Sequence, residues 1–194
     1  MLAIILCVLA YLLGSVNSAI ILSKLFHLPD PRLSGSGNPG ATNVLRSGNK
    51  QIAIAVLLFD ALKGLIPVLI TRMFGLTEIS AALVGMFALV GHIFPVFFNF
   101  KGGKGVATFL GVTFGMSFAL GLLAVVVWLI LAFVMKYSSL ASLVSAVVAT
   151  LAAPFMVGSG LVFFPFAMMT AILVWRHQEN IERLKAGTES KIGK

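Results

Sequence analysis

The sequence predicts an all-α integral membrane protein, a single domain over residues 1–194, and three observations carry that prediction. Of the 194 residues, 59% are hydrophobic and only 10% are charged, where a soluble domain carries about a quarter. The apolar residues lie in long runs almost free of charge. The cations gather in the gaps between those runs, 14 Lys+Arg against 6 Asp+Glu, for a net charge of +8. Too few polar side chains exist to cover a water-facing surface, which excludes a soluble globular enzyme. Disorder is excluded as well, because it needs low hydrophobicity and high charge.

The elements follow in order. A helix needs about 20 apolar residues to cross the hydrocarbon core. Residues 1–23 carry no charge, 51–71 only Asp60 and Lys63, and 79–100 none beyond His92 near the end. Residues 105–135 as one straight helix would run about 46 Å, against a core of about 30 Å. That run must divide, and Gly111, Gly115 and Gly121 are the expected turning points. Residues 137–175 divide at Gly158, Ser159 and Gly160, with Pro154 and Pro165 alongside. Seven helices are expected, several of them short, with five as the alternative.

With seven spans, 12 of the 14 basic residues share one side, Arg72 lies opposite and Lys63 sits inside a span. The positive-inside rule makes the rich side cytoplasmic. The amino terminus is then extracytoplasmic and the carboxyl terminus cytoplasmic. A five-span count would move Lys136 outside, so the charge tally favours seven. Residues 1–23 lack a positive leading region and do not read as a cleavable signal peptide. Cys7 is the sole cysteine, so neither a disulfide nor a cysteine metal site forms within the chain, and an apolar packing role is expected. No basic and aromatic stripe suggests nucleic acid.

Three polar segments concentrate what chemistry there is. The first, LSGSGNPGATNVLR over residues 33–46, offers backbone amides from three glycines, neutral donors from Ser, Thr and Asn, and Arg46 to grip a phosphate. The second, FKGGKGVAT over residues 100–108, surrounds Lys104 with three glycines where a span begins. Glycine amides, a helix N-terminus and an ammonium at one spot suit a phosphate or a developing oxyanion. The Walker A spacing is absent, because Gly105 follows Lys104. The third, WRHQENIERLKAGTE over residues 175–189, reads as a helix leaving the membrane and ending at Gly187 as a C-cap. His177, Asn180 and Arg183 share one of its faces, and Trp175 and Arg176 suit the interfacial belt. Asp60 and Lys63, three apart, can pair on one helical face, either as a structural pair or as polar lining beneath a site; each charge alone at mid-span would cost about 2.5–3.5 kcal/mol. His92 reads as structural. A transporter for an anionic solute would also place glycines and cations at helix ends, but the sequence shows no internal repeat. A non-catalytic scaffold would not need loops of phosphate-binding composition.

The segments SGSGNPGATNVLR, GHIFPVFFNFKGGKGVAT and HQENIERLKAGTE resemble the three signature motifs of the bacterial acyl-phosphate:glycerol-3-phosphate acyltransferases, the PlsY family. The resemblance covers essentially the whole chain in length, span pattern and motif order. It implies a multi-pass enzyme of the cell inner membrane that works on its cytoplasmic side, as a monomer and without cofactor or metal. It implies transfer of a fatty acyl group from acyl phosphate to position 1 of glycerol 3-phosphate, giving lysophosphatidate and phosphate as the first acylation of phospholipid synthesis. Acyltransferases built on His-x-x-x-x-Asp are a different class, and Arg32, Phe97 and Glu182 stand five residues beyond the three histidines here.

On that basis Ser36, Gly37, Asn38, Thr42 and Asn43 are expected to join Gly102, Gly103 and Lys104 around the acyl phosphate. Thr108 closes the second segment as a further candidate. Arg46, Lys104, His177 and Asn180 are expected to hold glycerol 3-phosphate, with Arg183 and Glu189 bracing the third segment and Ser142 a weaker candidate. Acyl phosphate is already activated, so no covalent acyl-enzyme is required. The acyl tail would lie between helices or partly in lipid. The proton of the glycerol hydroxyl has two possible acceptors, His177 and a substrate phosphate.

Overall fold

In a computed structural model, residues 1–192 are described; Lys194, one of the 12 cations assigned to a single side, lies outside them. The described residues fold as a helical bundle without strands. Helices α1 (Leu2–Gly14) and α2 (Ser18–Leu25) make one broken span, with Asn17 capping α2 by accepting from the Ile20 amide. The short α3 (Ala41–Arg46) lies in the first polar segment. Then come α4 (Lys50–Met73), capped by Asn49, and α5 (Glu78–Ile93), capped by Thr77. The chain continues through α6 (Val106–Met116), α7 (Phe118–Met135), α8 (Ser138–Val157), α9 (Phe163–Arg176) and α10 (Gln178–Lys185).

Small residues bring the backbones together, as they must in lipid, where apolar burial alone does not drive helix association. A Cβ on Gly64 would collide with the Thr108 carbonyl, and one on Gly111 with the Ala61 carbonyl, so α4 and α6 touch along their backbones. Gly14 against Ala88 and Gly91 against Tyr11 seat α1 on α5 in the same way. The outward faces carry large exposed apolar side chains such as Leu122, Val126, Leu129, Ile130 and Phe133 of α7. That is the surface of an integral membrane protein.

The division of the two long runs differs in detail from expectation. The first breaks at Ser117, whose hydroxyl caps α7, because Gly111 and Gly115 are used for packing on α4 and Gly121 lies against Phe114 inside the bundle. The second breaks at Gly158, left-handed at φ +77°, as expected. Among the described residues seven apolar segments therefore exist, but five are long enough to cross, or six if the pair ending in α10, bent by 60°, counts as one span. By length the count thus falls between the expected seven and its alternative of five, and helix α6 is the short apolar segment left out. Its 11 residues rise only about 16 Å.

That shortness positions the site. Helix α6 starts level with the middle of α4, since Thr108 faces Gly64. The first half of α4 is covered instead by α2 and α3, through Ala19, Val44, Ile52, Ala53 and Val56. From Lys50 to Gly64 α4 rises about 21 Å. The second polar segment thus enters the bundle well below the rim.

Candidate active site

The third segment is built by its cap. Gly187 takes φ +70°, its amide donates to Leu184 and the Thr188 amide to Arg183. This is a Schellman motif, and it turns the chain back so that Glu189 re-enters beneath α10. Glu189 Oε1 accepts from Ser139 and from Asn180 Nδ2, both at 2.7 Å, and Oε2 from Arg183 Nε at 2.8 Å. Burial pushes the Glu189 carboxyl up, but the hydrogen bonds from Asn180, Ser139 and Arg183 outweigh it and hold its pKa below the ordinary value. Asn180 Oδ1 in turn accepts from Lys104 Nζ. Burial, and next the Arg183 charge, push the Lys104 ammonium below its ordinary pKa.

His177 stands at the bend between α9 and α10, 3% exposed. Its Nδ1 lies 2.7 Å from the Leu173 carbonyl, which makes Nδ1 the protonated nitrogen and leaves Nε2 an acceptor. Burial pushes its pKa down to about 4. Asn180 and Arg183 share a face of α10 as expected, whereas His177 belongs to the bend.

Two cavities adjoin at Gly37, Gly102 and Arg176. One, of about 400 Å³, is lined by Ser36, Gly37, Asn38, Gly102, Lys104 and the start of α10. The other, of about 430 Å³, is lined by Arg32, Leu33, Pro39, Lys101 and Phe100 and shares Gly37, Gly102 and Arg176 with the first. Arg176 joins the two: Nη2 donates to the Gly102 carbonyl at 3.3 Å and the guanidinium lies over the Trp175 ring. The sequence assigns Arg176 only to the interfacial belt; its place beside His177, facing the second segment, was the missed signal.

Several expected residues do other work. Asn43 is buried and bonds inward, accepting from the Ser36 amide at 3.0 Å and donating to the Pro31 and Ser34 carbonyls. It shapes the loop and leaves no polar atom for a ligand. Thr42 and Arg46 are exposed and line neither cavity, because α3 turns Asn43 and Val44 inward and sends its flanking residues out. The Gly102 and Gly103 amides do not face an anion; they donate to the Ile93 and His92 carbonyls and close the end of α5. Thr108 is fully buried against α4 and lines neither cavity. The Ser142 hydroxyl is occupied, donating to the Ser138 carbonyl and accepting from Trp128 Nε1.

The geometry agrees with the comparisons. A family model described as glycerol-3-phosphate acyltransferase matches residues 4–187. Glycerol-3-phosphate acyltransferases of Coxiella burnetii (strain RSA 493 / Nine Mile phase I) and Francisella tularensis subsp. holarctica (strain OSU18) are each 50% identical to the chain. Coverage is 95% of the chain and 95% of the relative for the first, and 96% and 91% for the second. The crystal structure of PlsY (YgiH), an integral membrane glycerol 3-phosphate acyltransferase, in its glycerol 3-phosphate form superposes with a TM-score of 0.93 at 42% identity. It covers 100% of this chain and 96% of that one. Its lysophosphatidic acid form gives 0.91 at 40% identity, with the same coverage. The chain belongs to the glycerol-3-phosphate acyltransferase family, as an integral membrane enzyme of the PlsY type.

Proposed function

We propose that the enzyme takes its acyl group from acyl phosphate and delivers it to the 1-hydroxyl of glycerol 3-phosphate. The carrying observation is the pair of adjoining cavities with Lys104 and Glu179 at one, Lys101 and an Arg32 already paired with Asp30 at the other, and Arg176 between them. Both substrates bear a phosphate, and two cationic cavities suit two anions. The glycerol oxygen attacks the acyl carbon, the acyl–phosphate bond breaks, and phosphate leaves with the bonding electrons. Lys104 and Arg176 offset charge as it grows on the leaving phosphate. Ser36 and Asn38 orient that group, while Asn180 and His177 hold the glycerol phosphate. No covalent acyl-enzyme forms; Cys7 packs with Leu6 and Val84, far along α1 from the site.

A substrate phosphate receives the proton. An imidazole held at about 4 is a weak base, since general bases work best with a pKa near the operating pH. His177 Nε2 instead accepts from the neighbouring 2-hydroxyl of glycerol 3-phosphate and so orients the molecule, leaving the 1-hydroxyl proton to the phosphate. The site faces the cytoplasm of the inner membrane, where glycerol 3-phosphate is soluble, and this agrees with the cations at that end. The enzyme acts as a monomer. Purified protein should release phosphate from palmitoyl phosphate only when glycerol 3-phosphate is added. Release without acceptor, or none with folded protein, would reject this donor. In the same assay His177→Asn should keep kcat within about tenfold, whereas a loss of about 10³ would make it the base.

A further inference from the structure

Ten residues into α4, charge is buried at the depth where the second segment enters. Asp60 is 3% and Lys63 5% exposed, and Lys63 Nζ lies 2.8 Å from Asp60 Oδ1. Lys63 also donates to the Val16 carbonyl at 2.8 Å and the Gly14 carbonyl at 3.4 Å, and Ser18 donates to Asp60 Oδ1 at 2.7 Å. The pair therefore ties down the break between α1 and α2. His92, buried in α5, stands between this network and the site. Its Nδ1 is 3.7 Å from Asp60 Oδ1 and has no hydrogen-bond partner among the described residues. Its Nε2 abuts Gly103, where an added Cβ would collide with it, and its carbonyl accepts from the Gly103 amide at 3.3 Å. The next residue is Lys104.

A helix break can be capped without an imidazole, and an apolar side chain would fill the same space without an unpartnered nitrogen, which a buried site rarely tolerates. We propose that Asp60, Lys63 and His92 are positioning residues for acyl transfer: the buried pair sets the His92 ring, and the ring and its carbonyl set the 102–104 backbone from which Lys104 reaches Asn180. The inference rests on the role given to Lys104 above and goes beyond it, because none of the three touches either cavity.

The test uses detergent-purified, full-length protein. His92→Ala should lower kcat about tenfold with a much smaller change in KM for glycerol 3-phosphate. His92→Gln, which again offers a polar group between Asp60 and Gly103, should recover most of that loss. In a Lys104→Arg background, where the positioned ammonium is gone, His92→Ala should add less than about twofold. Wild-type kinetics in folded His92→Ala, equal losses in both backgrounds, or failure of Gln to rescue would each overturn the proposal. Should His92→Ala fail to fold, Asp60→Asn/Lys63→Met removes both charges together, and the same fall in kcat is expected; a wild-type kcat overturns it. Wild-type rates in Lys104→Ala would sink the Lys104 assignment and this inference together.

Discussion

Lys63 and Lys104 each lie near a carboxylate, yet one is closed off and the other is available. Lys63 spends its donors on Asp60 and on the Val16 and Gly14 carbonyls. Lys104 reaches Glu189 only through Asn180, whose Oδ1 faces the ammonium and whose Nδ2 donates to the carboxylate. A direct pair cancels itself, which suits a buried charge that must not attract ligand. An interposed amide lets the carboxylate ease the burial of the ammonium while leaving its charge for an incoming anion. The same two residue types thus make a structural clasp in one place and a binding group in the other.

The comparison breaks most sharply if one partner of the clasp is removed. Asp60→Asn leaves an uncompensated buried lysine and should cost about 3–5 kcal/mol of stability, read as a lower melting temperature in detergent. Stability near wild type would mean the pair is not closed. Lys104→Ala should leave the melting temperature almost unchanged but lower kcat/KM by about 10²–10³, roughly 2.7–4 kcal/mol of transition-state stabilisation. Removing the far end of the relay should cost less. Glu189→Gln is expected to lower kcat/KM about tenfold, or about 1.4 kcal/mol, by loosening Asn180. It also sharpens the pH dependence. The folded carboxyl sits below its ordinary 4.5, so its contribution is complete above that pH and is lost as pH falls through the lower folded value. Glu189→Gln should flatten stability across that acid window; an unchanged acid limb would count against the relay. An effect of similar size, on stability and not on activity, is expected at the turn that delivers Glu189. Gly187→Ala places a side chain at φ +70° and should cost about 1–2 kcal/mol, visible by thermal denaturation.

The third segment was the most legible of the three, because its parts are local. The Gly187 cap and the Asn180 and Arg183 row depend on spacing within one helix, and the structure forms both. The second segment misled in a specific way. Glycines beside a lysine suggested amides aimed at an anion, but the Gly102 and Gly103 amides close the end of α5. Backbone amides go to whichever acceptor the fold brings nearest, and here that is the preceding helix end, at Ile93 and His92. Asn43 turned inward for the same reason, finding the Pro31 and Ser34 carbonyls. Arg176, read as a belt residue, gained its place between the cavities only when the second segment folded against α9.

Composition and periodic charge by themselves determined that this chain lies in a membrane, where its apolar runs begin and end, and which residues cluster at one end. Those are one-dimensional facts, since lipid rejects unpaired charge wherever it falls along the chain. Tertiary structure alone decided how deep the site lies and which cations remain free. Depth followed from an α6 of 11 residues packed on the middle of α4 through Gly64 and Gly111. Freedom followed from partners brought in from distant segments, Asp60 and the α1 break for Lys63, Asn180 and Glu189 for Lys104. A lysine's role here is set by how many of its donors the surrounding protein already occupies, and that count exists only in three dimensions.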